Sequence, residues 1–277
     1  MKKLSAYALR RSVAQVFYGS VMSLPLALQA QAETASITDS IFGGDTQASV
    51  GVGVAGGPRY MGSKDYRSVP VPVLSLSRGI FFVDTYRGLG LQWQSPSGFY
   101  ISQSFFYDAG RDDRNNDFRP GANRLSGMGE VDSTATSILY LSQQLTPWLS
   151  VNGEAEFALD GGERGTRYRA GLEATVLNQS RDIIVLGLDV RAADHRYNQA
   201  YFGVTGQQSQ QSRFTAFTPG GGLNQYALNA NWTHKFDENW STYVLVTASE
   251  LGGKVEDSPL IERKGALSAV TSISYTF

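Results

Sequence analysis

The stretch Leu149-Ser150-Val151-Asn152-Gly153-Glu154-Ala155-Glu156-Phe157-Ala158-Leu159 alternates apolar and polar side chains almost without interruption. This period of two is typical of a β-strand with one apolar and one polar face. The same alternation recurs in 165–177, 223–236 and 239–250. A strand of about ten residues is long enough to cross a bilayer at a tilt. The sequence therefore predicts membrane-spanning strands.

We predict about twelve strands, within a range of roughly 10–14 because sequence patterns fix boundaries only approximately. They lie near 47–56, 68–77, 79–85, 87–95, 98–107, 133–145, 148–158, 165–177, 182–193, 223–236, 239–250 and 265–277. The third is short. The second contains Pro70 and Pro72, which suit an edge or a bulge because proline donates no ladder hydrogen bond.

From the fifth strand onward the connections alternate in length. Thr146-Pro147, 178–181 and 237–238 are short, whereas 108–132, 194–222 and 251–264 are long, and 159–164 is intermediate. Short periplasmic turns and long outer loops alternate in this way in transmembrane barrels. Only a closed sheet leaves no unpaired backbone edge in hydrocarbon. The predicted fold is all-β, a transmembrane antiparallel β-barrel over 47–277.

The first residues have the features of a cleaved signal peptide, 1–32. A basic beginning (Lys2, Lys3, Arg10, Arg11) precedes a mostly apolar stretch, and Ala30-Gln31-Ala32 fits a signal-peptidase site. The alternative, a transmembrane anchor, is weakened by the polar residues and proline that interrupt the apolar run. We predict Sec-type export to the Gram-negative outer membrane, with 33–46 as a periplasmic tail.

The end of the last strand, Tyr275-Thr276-Phe277, resembles the terminal aromatic signal recognised by the barrel-assembly machinery. We therefore expect that machinery as a partner, together with outer-membrane lipid and lipopolysaccharide.

Composition excludes several classes of function. Removal of the signal peptide leaves 20 basic residues against 25 acidic ones, a net charge of −5. A nucleic-acid partner is not expected, because it would require a basic surface. The chain has no cysteine, so it contains neither a disulfide framework nor a thiol nucleophile.

Charged residues on the polar faces of neighbouring strands are predicted to point into the barrel. They are Glu154, Glu156, Arg167, Arg169 and Glu173. Opposite charges on facing strands pair across the sheet, which favours a packed, salt-bridged interior. The alternative is the selectivity constriction of a pore.

Two motifs have weak functional interpretations. Gly51-Val52-Gly53-Val54-Ala55-Gly56 matches the dinucleotide fingerprint, but Gly57-Pro58 follows where a helix would be needed. We interpret it as a barrel strand. The cluster Asp112, Asp113, Asn115, Asn116, Asp117 has the composition of a calcium loop without its spacing. A solvated loop is favoured over divalent-ion or lipopolysaccharide bridging.

The chain has two histidines. His195 follows Asp194 at a strand end, where an outer-membrane hydrolase could place a base for Ser209 or Ser212, but an exposed loop histidine is favoured. His234 falls in the lipid-facing register with no carboxylate at i±2. We predict no catalytic residue, metal site or cofactor.

A set of short segments in order gives a family resemblance. They are Arg59-Tyr60-Met61-Gly62-Ser63-Lys64-Asp65-Tyr66, Gly110-Arg111-Asp112, Leu125-Ser126-Gly127-Met128-Gly129-Glu130-Val131-Asp132, Tyr201-Phe202-Gly203-Val204, Pro219-Gly220-Gly221-Gly222 and Asp257-Ser258-Pro259-Leu260. From about residue 45 to Phe277 the chain resembles the MltA-interacting protein (MipA/OmpV) family of outer-membrane proteins. The resemblance implies a scaffold that joins a lytic murein transglycosylase to a bifunctional murein synthase; other relatives are discussed as surface antigens, adhesins or stress-responsive proteins.

Most of these segments fall on the predicted outer loops. We expect Tyr60, Gly62, Arg111, Asp112, Asp132, Tyr201 and Asp257 to build a structural cap over the barrel mouth, or alternatively a ligand site. Arg111 would pair there with Asp112, Asp132 or Asp257. The predicted function is a non-enzymatic scaffold for murein hydrolase and synthase. The alternatives are a narrow pore or uptake channel, a surface adhesin, and a hydrolase that uses His195.

Overall fold

The computed structural model describes Gly43, 46–159 and 164–277. Twelve strands form one closed antiparallel barrel in chain order, and β1 pairs with β12. The strands are β1 (Thr46–Pro58), β2 (Tyr66–Arg78), β3 (Phe81–Asp84), β4 (Gly88–Gln94), β5 (Phe99–Asp108), β6 (Thr134–Thr146), β7 (Leu149–Ala158), β8 (Thr166–Asn178), β9 (Asp182–Ala193), β10 (Gly222–Lys235), β11 (Trp240–Leu251) and β12 (Gly265–Thr276). The predicted fold class is confirmed, and each strand lies within two residues of its predicted bounds. The predicted signal peptide and most of 33–46 lie outside the described residues.

The barrel has one end with short connections and one with long connections. We call them the turn end (79–80, 95–98, 147–148, 179–181, 236–239) and the loop end (59–65, 85–87, 109–133, 159–165, 194–221, 252–264). The predicted alternation therefore extends around the whole barrel. The connection 85–87 is the exception at the loop end, because it joins two short strands.

The outward face is apolar along the strands. Its middle band is aliphatic, with Val52, Leu74, Leu172, Leu228 and Leu267 each about half exposed or more. Exposed aromatic side chains flank that band at the turn end (Phe81, Trp93, Trp148, Phe236, Trp240) and at the loop end (Tyr66, Phe105, Tyr107, Phe157, Tyr168). An apolar belt between two aromatic girdles is the surface that a bilayer-spanning barrel presents to lipid.

The glycine-rich segment of β1 is a strand, as predicted. A Cβ on Gly51 would lie 2.2 Å from the carbonyl oxygen of Ile273, and one on Gly53 would lie 2.6 Å from that of Thr271. The absence of side chains at these glycines therefore allows β12 to approach β1 closely where the barrel closes.

The proline-containing strand has a free edge, as predicted. β2 pairs with β1 along its full length but with β3 only from Ser75 to Arg78. Pro70 and Pro72 therefore lie where β2 is paired on one side.

Two short helices lie in the longest loop, although the sequence shows little helical periodicity. They are α1 (His195–Phe202) and α2 (Gly206–Gln211). Asp194 caps α1 by accepting from the amide of Tyr197, and Thr205 caps α2 in a capping box with Gln208. Neither helix in the described part of the chain has the length and apolar character needed to cross a membrane.

Candidate functional site

The barrel interior has two different walls. Strands β1, β2, β11 and β12, with the turn after β3, contribute an apolar wall made of Ala55, Val69, Val71, Val73, Tyr86, Tyr243, Leu245 and Val270. Strands β7 to β10 contribute a polar wall on the luminal register. The interior is therefore amphipathic, although the buried Arg67, Asp84 and Arg87 place charge beside the apolar wall as well.

The polar wall is built from directly opposed residues. Glu154 faces Arg169 across β7 and β8, and Glu156 faces Arg167. Arg169 contacts Glu154 at 3.4 Å and Asp189 of β9 at 3.1 Å. Glu173 accepts from the side-chain amide of Asn152 at 3.3 Å. The predicted luminal charges thus lie together inside the barrel, and register explains their pairing.

Glu156 is the centre of a buried ion-pair network at the loop end of the polar wall. It is 1% exposed and pairs with Arg167 and, at 2.7 Å, with Arg164. Arg164 also pairs with Asp108, and its Nε donates to the hydroxyl of Tyr201 at 3.2 Å. Burial lowers the pKa of Arg164, but Glu156 and Asp108 outweigh it and hold that pKa above its usual value.

Sequence patterns did not identify Arg164 or Asp108 as members of this network. Arg164 lies in the loop before β8, where no strand alternation assigns a direction to its side chain. Asp108 is the last residue of β5 and contacts Arg164 from a strand that is not adjacent to β8, so no cross-strand register indicates the pair.

The loops fold into a cap with its own apolar core. One cluster joins four of the loop-end connections (59–65, 109–133, 194–221 and 252–264) through Tyr60, Ala122, Leu125, Met128, Val204, Phe214 and Leu260. A second cluster, directly above the lumen, contains Ala193, Tyr197, Tyr201, Phe202, Leu251 and Val255. Burial of this many large side chains makes the cap a packed unit. We call these two clusters the loop cap.

Tyr60 and Gly62, two of the predicted cap residues, connect the loop 59–65 to the loop 252–264. The hydroxyl of Tyr60 donates to the carbonyl of Leu260 at 2.9 Å. The carbonyl of Gly62 accepts from the amides of Glu262 and Arg263 at 2.8 and 3.1 Å. Gly62 has a φ of 92°, which favours glycine.

Arg111 and Tyr201 are both buried in the loop cap. Nη1 of Arg111 donates to the backbone carbonyl of Tyr201 at 2.6 Å, and the guanidinium lies 6.0 Å from the Tyr201 ring. The sequence predicted a carboxylate partner. The structure adds a backbone oxygen as a partner, which has no sequence signature, and the carboxylate pairing stays a prediction.

The remaining predicted cap residues lie nearer the surface. Asp112 accepts from the amide of Arg114 and the side chain of Asn116 within its own loop, whereas Asp132 and Asp257 are exposed. Within the described ranges, no group of three or more His, Cys, Asp or Glu side chains could hold a metal ion.

Each of the two histidines lies next to an aspartate that makes other hydrogen bonds. His195 is exposed at the start of α1, and Asp194 accepts from the amides of Tyr197 and Thr166. Nδ1 of His234 lies 2.8 Å from Asp182 on the neighbouring strand, and Trp232 donates to the same carboxylate. Asp182 contacts His234 from the neighbouring strand, so the residues at i±2 of His234 in the sequence give no indication of this pair.

The space between the loop cap and the polar wall is divided among cavities of different size. A cavity of about 30 Å³ lies among Met61, Glu154, Arg169, Tyr197 and Phe202, room for only a few water molecules. The arrangement neutralises buried charge and closes the mouth of the barrel.

Comparison with known proteins gives a family. The family described as "MltA-interacting protein MipA" matches residues 50–277. The MltA-interacting proteins of Escherichia coli K12 and Shigella flexneri are each 26% identical over 91 residues, which cover 33% of this chain and 36% of theirs. The alignment therefore spans about a third of these curated relatives.

Several solved outer-membrane barrels resemble the structure. An outer-membrane channel from Pseudomonas putida F1 has a TM-score of 0.46 at 11% identity and covers 88% of this chain and 100% of its own. The NanC porin has a TM-score of 0.42 at 9% identity and covers 81% and 98%. Since the family match covers residues 50–277, well over half of the chain, the chain belongs to the MltA-interacting protein family.

Proposed function

We propose that the protein is a non-enzymatic scaffold of the Gram-negative outer membrane that helps to position murein-remodelling enzymes. The observation that supports this most directly is the closure of the barrel. The loop cap packs over one end, and paired charges and apolar side chains occupy much of the interior, which retains a cavity of about 180 Å³ beside Glu156 and Arg167. A closed barrel is suited to presenting rigid surfaces rather than conducting solute. The family description, MltA-interacting protein, indicates the class of partner.

In this proposal the turn end faces the periplasm, where murein and its enzymes lie. Its exposed charged residues include Arg181 between β8 and β9 and Glu238 between β10 and β11. The predicted tail 33–46 would emerge beside them, because β1 begins at this end. A lytic transglycosylase and a murein synthase would dock here, while the two aromatic girdles contact lipid and lipopolysaccharide. Tyr275 and Phe277 would serve as the assembly signal.

The test is in-cell crosslinking of the affinity-tagged protein followed by mass spectrometry. A turn-end variant, Arg181→Glu with Glu238→Arg, reverses two exposed charges. A matched loop-end variant, Arg213→Glu with Glu256→Arg, reverses one exposed charge of each sign on the opposite end. We expect murein enzymes to co-purify with the wild-type protein and the loop-end variant, and recovery to fall for the turn-end variant. Recovery of only assembly factors and lipopolysaccharide would refute the scaffold.

The polar wall favours a second candidate, a narrow pore. Arg169 and Glu154 lie in the lumen as a selectivity filter would require. Single-channel recording in planar bilayers tests this. A steady conductance whose ion selectivity changes in Glu154→Gln would establish the pore, and an electrically silent barrel would exclude it.

A further inference from the structure

One sector of the barrel wall is incomplete at the loop end. β3 and β4 are short, so β2 is paired with β3 only from Ser75 to Arg78, and β5 is paired with β4 only from Tyr100 to Phe105. Among the described residues, no strand fills the space between 66–73 of β2 and 106–108 of β5. The connection 85–87 forms its lower border. We call this gap the side window.

The β2 edge of the side window lacks two of its backbone donors. The amide of Leu74 donates to Oγ1 of Thr85, and its carbonyl accepts from the amide of Thr85, both at 2.9 Å. The backbone groups of Leu74 therefore point towards the window. Because backbone direction alternates along a strand, residues 70 and 72 have the same orientation. Both are prolines, so neither places an unsatisfied N–H in hydrocarbon, where each would cost several kcal/mol.

A cavity of about 180 Å³ lies directly behind the side window. Aromatic side chains contribute much of its lining, namely Tyr86, Phe106, Tyr107 and Phe118. Charged side chains line the rest, namely Arg67, Asp108 and the buried Glu156–Arg167 pair. An engineered apolar cavity of about 150 Å³ is large enough to bind benzene. The space therefore accommodates an aromatic ring or a segment of an acyl chain.

A short segment of the loop after β5 covers the window. Nη1 of Arg67, on β2, donates to the carbonyls of Asp117 and Asn116 at 2.7 and 3.5 Å. These contacts hold Phe118 beside the opening, where its side chain is 79% exposed. Leu74 and Tyr107, on the two borders, are 54% and 62% exposed on the lipid-facing surface. The window thus opens towards the bilayer, and the exposed side chains on its borders are apolar or aromatic.

We propose that the side window is a lateral binding site for one acyl chain of a membrane lipid, taken from the leaflet at the loop end. The occupant follows from the position of the opening: hydrocarbon lies immediately outside it, and aromatic side chains line the path inward. The ion pairs at the inner end are mutually neutralised, so they favour the uncharged chain rather than an anionic headgroup. This site is independent of the proposed scaffold role.

The experiment uses the full-length protein in vesicles of phosphatidylethanolamine and phosphatidylglycerol. A small fraction of phosphatidylcholine with a diazirine at the end of one acyl chain is the probe. After photolysis, mass spectrometry identifies the labelled residues. We expect label on Tyr86 and Phe106, which face inward, in addition to lipid-facing residues such as Leu172 on the opposite side of the barrel. Label confined to lipid-facing residues would overturn the proposal.

Two variants test whether the chain enters through this opening. Ala109→Trp places a large side chain in the cavity lining, whereas Ala155→Trp adds the same group to the outer face of β7. We expect label on Tyr86 and Phe106 to be lost in Ala109→Trp and retained in Ala155→Trp, with heat-dependent electrophoretic mobility verifying that both are folded. Inner label that persists in folded Ala109→Trp would overturn the proposal. The wild-type labelling map decides the question if that variant does not fold.

Discussion

Arg111 donates from Nη1 to the backbone carbonyl of Tyr201 at 2.6 Å, and this bond joins the loop after β5 to α1. Arg111→Met keeps an apolar stem but removes the donor, so the buried carbonyl loses a partner at a cost of roughly 1–3 kcal/mol. We expect faster hydrogen exchange and proteolysis in 194–221, with the barrel strands unchanged. Arg114→Met is the control, because the Arg114 side chain is 80% exposed. Equal exchange rates in the two variants would contradict the role of Arg111.

Glu156 supports the loop end of the barrel through two buried arginines, Arg164 and Arg167. Glu156→Gln keeps the shape of the side chain but removes the negative charge that Arg164 and Arg167 share, whereas Arg164 keeps its contact with Asp108. Removal of one partner from a buried ion pair costs about 3–5 kcal/mol. We expect urea-induced unfolding in vesicles, followed by the heat-modifiable band, to occur at lower urea concentration. Glu238→Gln, at an exposed turn position, should unfold like the wild-type protein; an unchanged midpoint for Glu156→Gln would rule out this role.

The sequence predicted the wall of the barrel better than its cap, for a physical reason. Alternation along Leu149–Ala158 reports directly which side chains face lipid, because burial in a strand has a period of two. Glu154 and Glu156 could therefore be assigned to the lumen, and the register of adjacent strands then determined their partners.

The loop cap could not be derived in this way. Tyr60 reaches Leu260, and Arg111 reaches Tyr201, across long sequence separations, through backbone carbonyls that every residue possesses. The family segments identified these positions without indicating their contacts. Asp132 and Asp257 belong to the same segments and yet are exposed, so membership of a segment did not distinguish packed residues from surface residues.

Glycine at position 62 permits both a positive φ and a close approach of the backbone to Ile261. An alanine there would have to adopt a φ of 92°, with its Cβ 2.9 Å from Cγ1 of Ile261. Gly129 has a φ of 72°, but no described atom lies within 4 Å of an added Cβ. Gly129→Ala should therefore cost only the backbone strain, roughly 1–2 kcal/mol, and Gly62→Ala should cost more. Hydrogen exchange at the amides of Glu262 and Arg263, which bond to Gly62, measures the difference; equal effects would exclude the steric contribution.

Tyr60 should make the loop cap sensitive to alkaline pH. Burial, together with the nearby Glu262, raises the pKa of its phenol to about 12, against about 10 in an unfolded chain. Between about pH 10 and pH 12 the phenol of Tyr60 is deprotonated in the unfolded chain but still protonated in the folded loop cap. The contribution of Tyr60 to the free energy of unfolding is therefore fully present below about pH 10 and falls as the pH rises towards 12. The difference in tyrosinate absorbance between the wild-type protein and Tyr60→Phe should titrate near pH 12. A midpoint near 10 would show that Tyr60 is accessible to solvent.

Pro70 and Pro72 should stabilise the edge of the side window because proline has no backbone N–H group that would remain unpaired there. Replacing both with alanine introduces two N–H groups that point towards the gap in the wall, where an unsatisfied buried donor costs roughly 1–3 kcal/mol. Proline-to-alanine changes also increase the entropy of the unfolded chain, so Pro147→Ala, in an exposed turn, measures that contribution separately. Unfolding in vesicles should show a loss of stability for Pro70→Ala with Pro72→Ala that exceeds twice the loss for Pro147→Ala. A loss of stability no larger than twice that of Pro147→Ala would mean that the new N–H groups find hydrogen-bond partners. The edge of β2 would then not be open to the bilayer.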